Sequence, residues 1–274
     1  MRATFRRRPP RSVTSPAAPP RVSPRWQSWV RRYARGYLAR HVHAVRLARG
    51  GPATAELPAG PLIVALNHPS WWDPVLCGVL SGLFPGRWPV APIDAEALER
   101  YPILGRIGLF GVAAGPRGAR QFLRIGAAVL ADPGRTLWVT VQGRFADPRE
   151  RPVHIRPGVG HLAARVPGTI VVPLALEYPF WGERTPEALA RFGDPIRLEG
   201  ATPTEWTERV ARGLEAAQDA LTEAAIARDP AAFEVLVGGR AGVGGVYDLW
   251  RRARAALGGR SFHAEHDEDR SAWR

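Results

Sequence analysis

The chain has 274 residues, 45% of them hydrophobic, enough to bury one substantial core or two small ones and too many for a disordered protein. Its formal charge of +13 comes from 38 basic residues, all arginine; 13 lie in residues 1–55, which hold no acidic residue, and the other 25 match the 25 acidic residues. The charge therefore belongs to a basic arm ahead of a neutral body. The body carries no nucleic-acid motif, and no nucleic-acid partner is expected. No run of roughly 18 apolar residues is present to make a transmembrane helix, and the single cysteine excludes an intrachain disulfide and points to a reducing compartment.

Residues 1–24 are rich in Pro, Arg and Ser and are predicted to be a disordered arm without the apolar segment of a secretory signal. Residues 25–50 are predicted to form a basic amphipathic helix, with Trp26, Trp29, Val30, Tyr33, Tyr37, Leu38 and Val42 near helical spacing and Arg31, Arg32, Arg35 and Arg40 between them. Aromatic residues beside arginines suit an interfacial membrane helix, and equally a helix docked on the body with a solvated basic face. His41 and His43 form an H-x-H pair with no further ligand, and no metal is expected. The main domain is expected over 55–237. Buried strands are predicted at 62–67, 88–93, 136–142 and 169–178, with helices at 117–132 and 157–166 between them. Another helix begins after Thr202, where Pro203 suits the first position and Glu205 completes a capping box. This alternation predicts a single α/β domain, a central sheet covered by helices and preceded by the basic helix. Residues 238–274 read as a glycine-rich and charged tail, with His263 and His266 solvated rather than metal-binding.

The chemistry centres on LNHPSWWDP, residues 66–74. His68 and Asp73 are five residues apart, which on a regular helix would set them on different faces. Across a strand-to-helix turn they can meet, so that Asp73 fixes the imidazole tautomer and the other ring nitrogen removes a proton from a hydroxyl. Ser70 reads as a helix cap, and Cys77, in an apolar stretch, as a small buried residue. Trp71 and Trp72 suit either the core or the mouth of a site that receives an apolar ligand. A second cluster, VTVQGRFADPRERP, follows another predicted strand, where arginine suits a phosphate or carboxylate.

These blocks together resemble the glycerolipid acyltransferases related to lysophosphatidic acid acyltransferase. N-H-P-S-W-W-D at 67–73 is similar to that family's Asn-His-x-x-x-x-Asp block. YPILGRIGLFGVAAGPRGAR at 101–120 is similar to the second block, whose basic residue falls at Arg117. VTVQGRF at 139–145 stands where the family has Phe-Pro-Glu-Gly-Thr-Arg, with Gln142 for its Glu, Arg144 for its Thr and Phe145 for its Arg. RPGVGHLA at 156–163 and IVVPLAL at 170–176 follow in order, so the resemblance spans about residues 60–180.

The resemblance implies transfer of a fatty acyl group from a CoA or acyl-carrier-protein thioester to a lysophospholipid or related lipid hydroxyl. His68 would be the general base and Asp73 its orienting partner. Arg117, Gln142, Gly143 and Arg144 would bind the acceptor's polar end. No cofactor beyond the acyl donor is expected. The expected place is an anionic membrane surface on the cytoplasmic face, peripheral or monotopic. The alternative is a non-catalytic lipid-binding protein of the same fold.

Overall fold

The computed structural model describes residues 19–52, 57 and 60–239. The expectations for 1–18 and for the tail from 240, with its two histidines, lie outside the described residues. The protein is one α/β domain built on an eight-stranded sheet in the order β4-β3-β5-β2-β6-β7-β1-β8. The strands are β1 (Ala44–Ala48), β2 (Leu62–Leu66), β3 (Trp88–Asp94), β4 (Leu109–Val112), β5 (Arg135–Thr140), β6 (Ile170–Glu177), β7 (Ala188–Phe192) and β8 (Phe233–Gly238). From β4 through β6 all neighbours are parallel, and β7 then pairs antiparallel with β6. The helices are α1 (Pro24–His41), α2 (Asp73–Leu80), α3 (Ala95–Arg100), α4 (Gly115–Leu130), α5 (Gly158–Arg165) and α6 (Pro203–Ala227).

The run LIVAL of β2 is buried at all five positions because helices cover both faces of the sheet. Leu62, Val64 and Leu66 pack with Leu38 of α1 and with Leu76 and Leu80 of α2. Ile63 and Ala65 face the other way, into a core with Ile125 of α4, Leu162 of α5 and Trp206 and Leu214 of α6. Helix α6 begins with the expected capping box: Thr202 accepts from Glu205 N–H, and Glu205 in turn accepts from Thr202 N–H.

Helices α5 and α6 meet at Gly160. A Cβ there would lie 2.1 Å from Thr207 Oγ1 and 2.4 Å from the Pro203 carbonyl oxygen. Alanine would gain about 1 kcal/mol of helix propensity, but overpacking against backbone costs about 1–3 kcal/mol or more. Gly160→Ala should therefore lower the denaturant midpoint of unfolding; an unchanged or higher midpoint would show that the helices separate freely here.

The N-terminal region differs from the sequence expectation in three ways. The helix stops at His41 rather than running to residue 50, and residues 44–48 form β1, between β7 and β8. The sheet therefore reaches outside the expected 55–237 boundary at both ends, because β1 needs the backbone partners that β7 and β8 supply. The end of the arm is laid on the body: Ser23 N–H donates to the Arg106 carbonyl, and the Arg135 guanidinium donates to that of Pro20.

The apolar face read for α1 also divides. Ala34 and Leu38 are buried, and Gln27 donates to the Pro89 and Ile107 carbonyls. Trp29 and Tyr33 stay about half exposed, in a file of rings from Trp26 through Trp29, Tyr33 and Tyr37 to His41. The small residues allow the close approach to α2, where Gly78 lies against Ala34, and the large rings turn outward. The helix is thus docked while keeping an aromatic surface.

Candidate active site

The carboxyl ends of β2 and β5 lie side by side, and the candidate site is built on the segments that leave them. Directly after β2 the buried Asn67 side chain donates to the Leu176 carbonyl at 3.0 Å and accepts from Leu176 N–H at 2.8 Å. This pins the strand end to β6 and sets where His68 emerges. The segment after β5 then holds His68 by its backbone: His68 N–H donates to Gln142 Oε1 at 3.3 Å, and its carbonyl accepts from Ala146 N–H at 3.0 Å.

Between His68 and α2 the chain turns tightly. Ser70 Oγ accepts from Trp72 N–H, and Asp73 Oδ2 accepts from Ser70 N–H. Ser70 thus holds the turn, while α2 starts only at Asp73, whose carboxylate lies in the first helical turn where the backbone dipole favours negative charge. His68 Nδ1 lies 2.6 Å from Asp73 Oδ2, and Asp73 Oδ1 accepts from the Tyr178 hydroxyl at 2.8 Å. Asp73 is 1% exposed and the His68 side chain 21%.

A carboxylate only accepts, so Nδ1 carries the proton and Nε2 keeps a lone pair. Burial, followed by the Asp73 charge, pushes the Tyr178 hydroxyl well above its ordinary range, so it stays a donor to Asp73. Burial likewise pushes the Cys77 thiol up, with Asp73 adding to the effect. That thiol is no nucleophile.

The structure brings His68, Asp73, Gln142 and Gly143 together. Gln142 is buried and uses its carbonyl oxygen on the His68 backbone. Arg144 is tied within its own loop, to Glu150 and to the Phe145 carbonyl. Arg117 is exposed in the first turn of α4, with no ion pair among the described residues. It follows β4, three strands from β2, roughly 14 Å along the sheet edge at the usual strand spacing.

Three contacts were not read from the sequence. Phe145 stacks on the His68 ring with centroids 4.1 Å apart, and Trp71 leans on Phe145 at 5.3 Å. Tyr178, the second partner of Asp73, comes from the end of β6. Further along the same edge, buried Glu187 joins the starts of β7 and β1, with Oε1 2.5 Å from His43 Nδ1 and Oε2 accepting from Arg46 Nε at 2.9 Å. A His-to-acid pairing 144 residues apart leaves no local signal in the chain.

The Glu187 hydrogen bond, chiefly, raises the His43 pKa against the opposing effect of burial. A raised folded-state pKa contributes stability that is fully present below the unfolded value, about pH 6.5, and is lost as pH rises through the folded value. The thermal midpoint should accordingly fall over that interval. His43→Gln should flatten this part of the profile, and an equal fall in that variant would refute the linkage.

No family model matches the chain, and no curated protein matches it. Among solved structures, the 1-acyl-sn-glycerophosphate (LPA) acyltransferase PlsC from Thermotoga maritima is similar to it, with a TM-score of 0.46 and 15% identity over 69% of this chain and 78% of that one. The likeness is distant.

Proposed function

We propose that this protein is an O-acyltransferase that moves a fatty acyl group from a CoA or acyl-carrier-protein thioester to the hydroxyl of a lysophospholipid or related lipid. The observation that carries the reading is the His68–Asp73 pair. Its carboxylate is buried and doubly held, its imidazole is partly exposed, and one ring nitrogen is left to accept a proton.

In the reaction, His68 Nε2 removes the proton of the acceptor hydroxyl as the oxygen attacks the thioester carbonyl carbon. The tetrahedral intermediate collapses with cleavage of the C–S bond, and the imidazolium returns its proton to the departing thiolate. Asp73 holds the ring and stabilises its cationic form. The proton path uses no side-chain nucleophile: Ser70 Oγ is engaged in the turn, and the Cys77 thiol is held protonated by burial. Trp71 and Phe145 form an apolar wall beside His68 on which an acyl chain can rest.

A membrane surface is the proposed workplace, on the cytoplasmic face, with the protein peripheral or monotopic. Among the described residues no helix is long and apolar enough to cross a membrane. Trp71 is 81% exposed, Phe180 61% and Phe145 44%, and all three sit on segments leaving the carboxyl ends of β2, β6 and β5. Solvent-facing aromatics around the site mouth suit a bilayer that supplies the acceptor. Replacing both Trp71 and Phe180 by serine should weaken binding to anionic vesicles by about tenfold or more. Undiminished binding in a co-sedimentation assay would move the contact elsewhere.

The reaction itself is tested by incubating the protein in mixed micelles with acyl-CoA or acyl-carrier protein and a panel of lysolipids and hydroxylated lipids. Mass spectrometry of the lipids should reveal a new acyl ester of at least one acceptor. Tight lipid binding with no ester from any pair would favour the non-catalytic reading.

A further inference from the structure

Four arginines lie on the segment that follows β5, and three of them are matched by a carboxylate. Arg144 is bound by Glu150, Arg149 by both oxygens of Asp147 at 3.0 Å, and Arg151 by Asp219. The fourth, Arg156, has an exposed side chain with no hydrogen bond or ion pair among the described residues. Its backbone is fixed nonetheless: Arg156 N–H donates to the Val141 carbonyl at 2.8 Å, at the end of β5.

The side chain lies across Gly143. A Cβ at that position would come within 2.2 Å of Arg156 Nε, 2.6 Å of Cδ and 2.7 Å of Cζ. Gly143 also has φ +64°, in the left-handed region that a glycine adopts freely. It belongs to the segment whose Gln142 and Ala146 grip the His68 backbone on both sides. The glycine therefore lets an unneutralised guanidinium lie close against the segment that grips the His68 backbone.

We propose that Arg156, and not Arg144, is the anion-binding residue of this site, taking a phosphate group of one of the two substrates. The assignment rests on the acyltransferase reading for its substrates and on the loop geometry for its residue. A guanidinium presents a planar fork of donors that matches a phosphate. Arg144 has already committed that fork to Glu150 and to a carbonyl, whereas Arg156 keeps it free against Gly143, on the segment that grips the His68 backbone. The phosphate belongs either to the acceptor's headgroup or to the CoA of the donor.

Calorimetric titration of the full chain with glycerol 3-phosphate and, separately, with CoA distinguishes these sources. At least one probe should bind the wild type. Arg156→Gln should weaken that binding by about tenfold or more, and Arg156→Lys should restore part of it. Arg144→Gln, which breaks an exposed ion pair, should change it by less than about twofold. Binding of glycerol 3-phosphate alone assigns the site to the acceptor, and binding of CoA alone assigns it to the donor. The proposal is overturned if neither probe binds the wild type, if Arg156→Gln binds normally, or if Arg144→Gln loses as much. A wild type that binds a probe through Arg156 but transfers no acyl group would refute the acyltransferase reading and leave the anion site standing.

Discussion

Replacing His68 by alanine should lower acyl transfer by about 10²- to 10⁴-fold, the usual contribution of a positioned general base. The loss should fall on kcat, since the imidazole acts on the proton that moves in the transition state rather than on ground-state binding. The fold should survive. The His68 side chain is partly exposed, and its backbone bonds to Gln142 and Ala146 do not depend on the ring. Phe145 would lose its stacking partner, a change worth about 0.5–1.5 kcal/mol. A His68→Ala protein with wild-type turnover would remove the proposed mechanism altogether.

Asp73→Asn should be nearly as damaging, although it changes hardly any volume. The carboxylate accepts from three groups: His68 Nδ1–H, Ser70 N–H and the Tyr178 hydroxyl. An amide has one accepting oxygen. If its NH₂ faces His68, it donates to Nδ1, the ring proton moves to Nε2, and the nitrogen that should accept a proton already holds one. A loss of about 10²- to 10⁴-fold in kcat with KM little changed is the expected result. Tyr178→Phe removes one hydrogen bond to the same carboxylate and should cost only about tenfold or less. A series in which Tyr178→Phe is the more harmful would mean that Asp73 acts through the tyrosine, not the histidine.

The central strands were legible because each is an apolar run, and β2, β5 and β6 are buried on both faces, while β3 is only partly covered. The runs at 62–67, 88–93, 136–142 and 169–178 correspond to β2, β3, β5 and β6. The start of α6 was legible because Thr202, Pro203 and Glu205 form a local signature whose bonds are all within the first turn. The far side of the sheet was not. AVRLA of β1 and ALARF of β7 are five residues each and carry an arginine, so alone they look no more like strands than like helix. They become strands because β1 pairs with β7 on one side and β8 on the other, contacts well over a hundred residues apart.

The site divides in the same way. His68 and Asp73 could be related from their spacing because a single turn joins them. Tyr178, Phe145 and Arg156 arrive from other strand ends, and nothing near His68 announces them. Arg144 and Arg156 are equally arginine in the sequence. Only the positions of Glu150 and Gly143 separate a neutralised side chain from one that is not.

Acyl transfer is read most directly as thiol release from palmitoyl-CoA, or from palmitoyl-acyl-carrier protein, with and without lipid acceptor in the same micelles. Release should depend on an acceptor, match ester formation mole for mole, and vanish in His68→Ala. Release that ignores the acceptor and persists in that variant would contradict the acyltransferase reading, as would no release with any donor and acceptor offered.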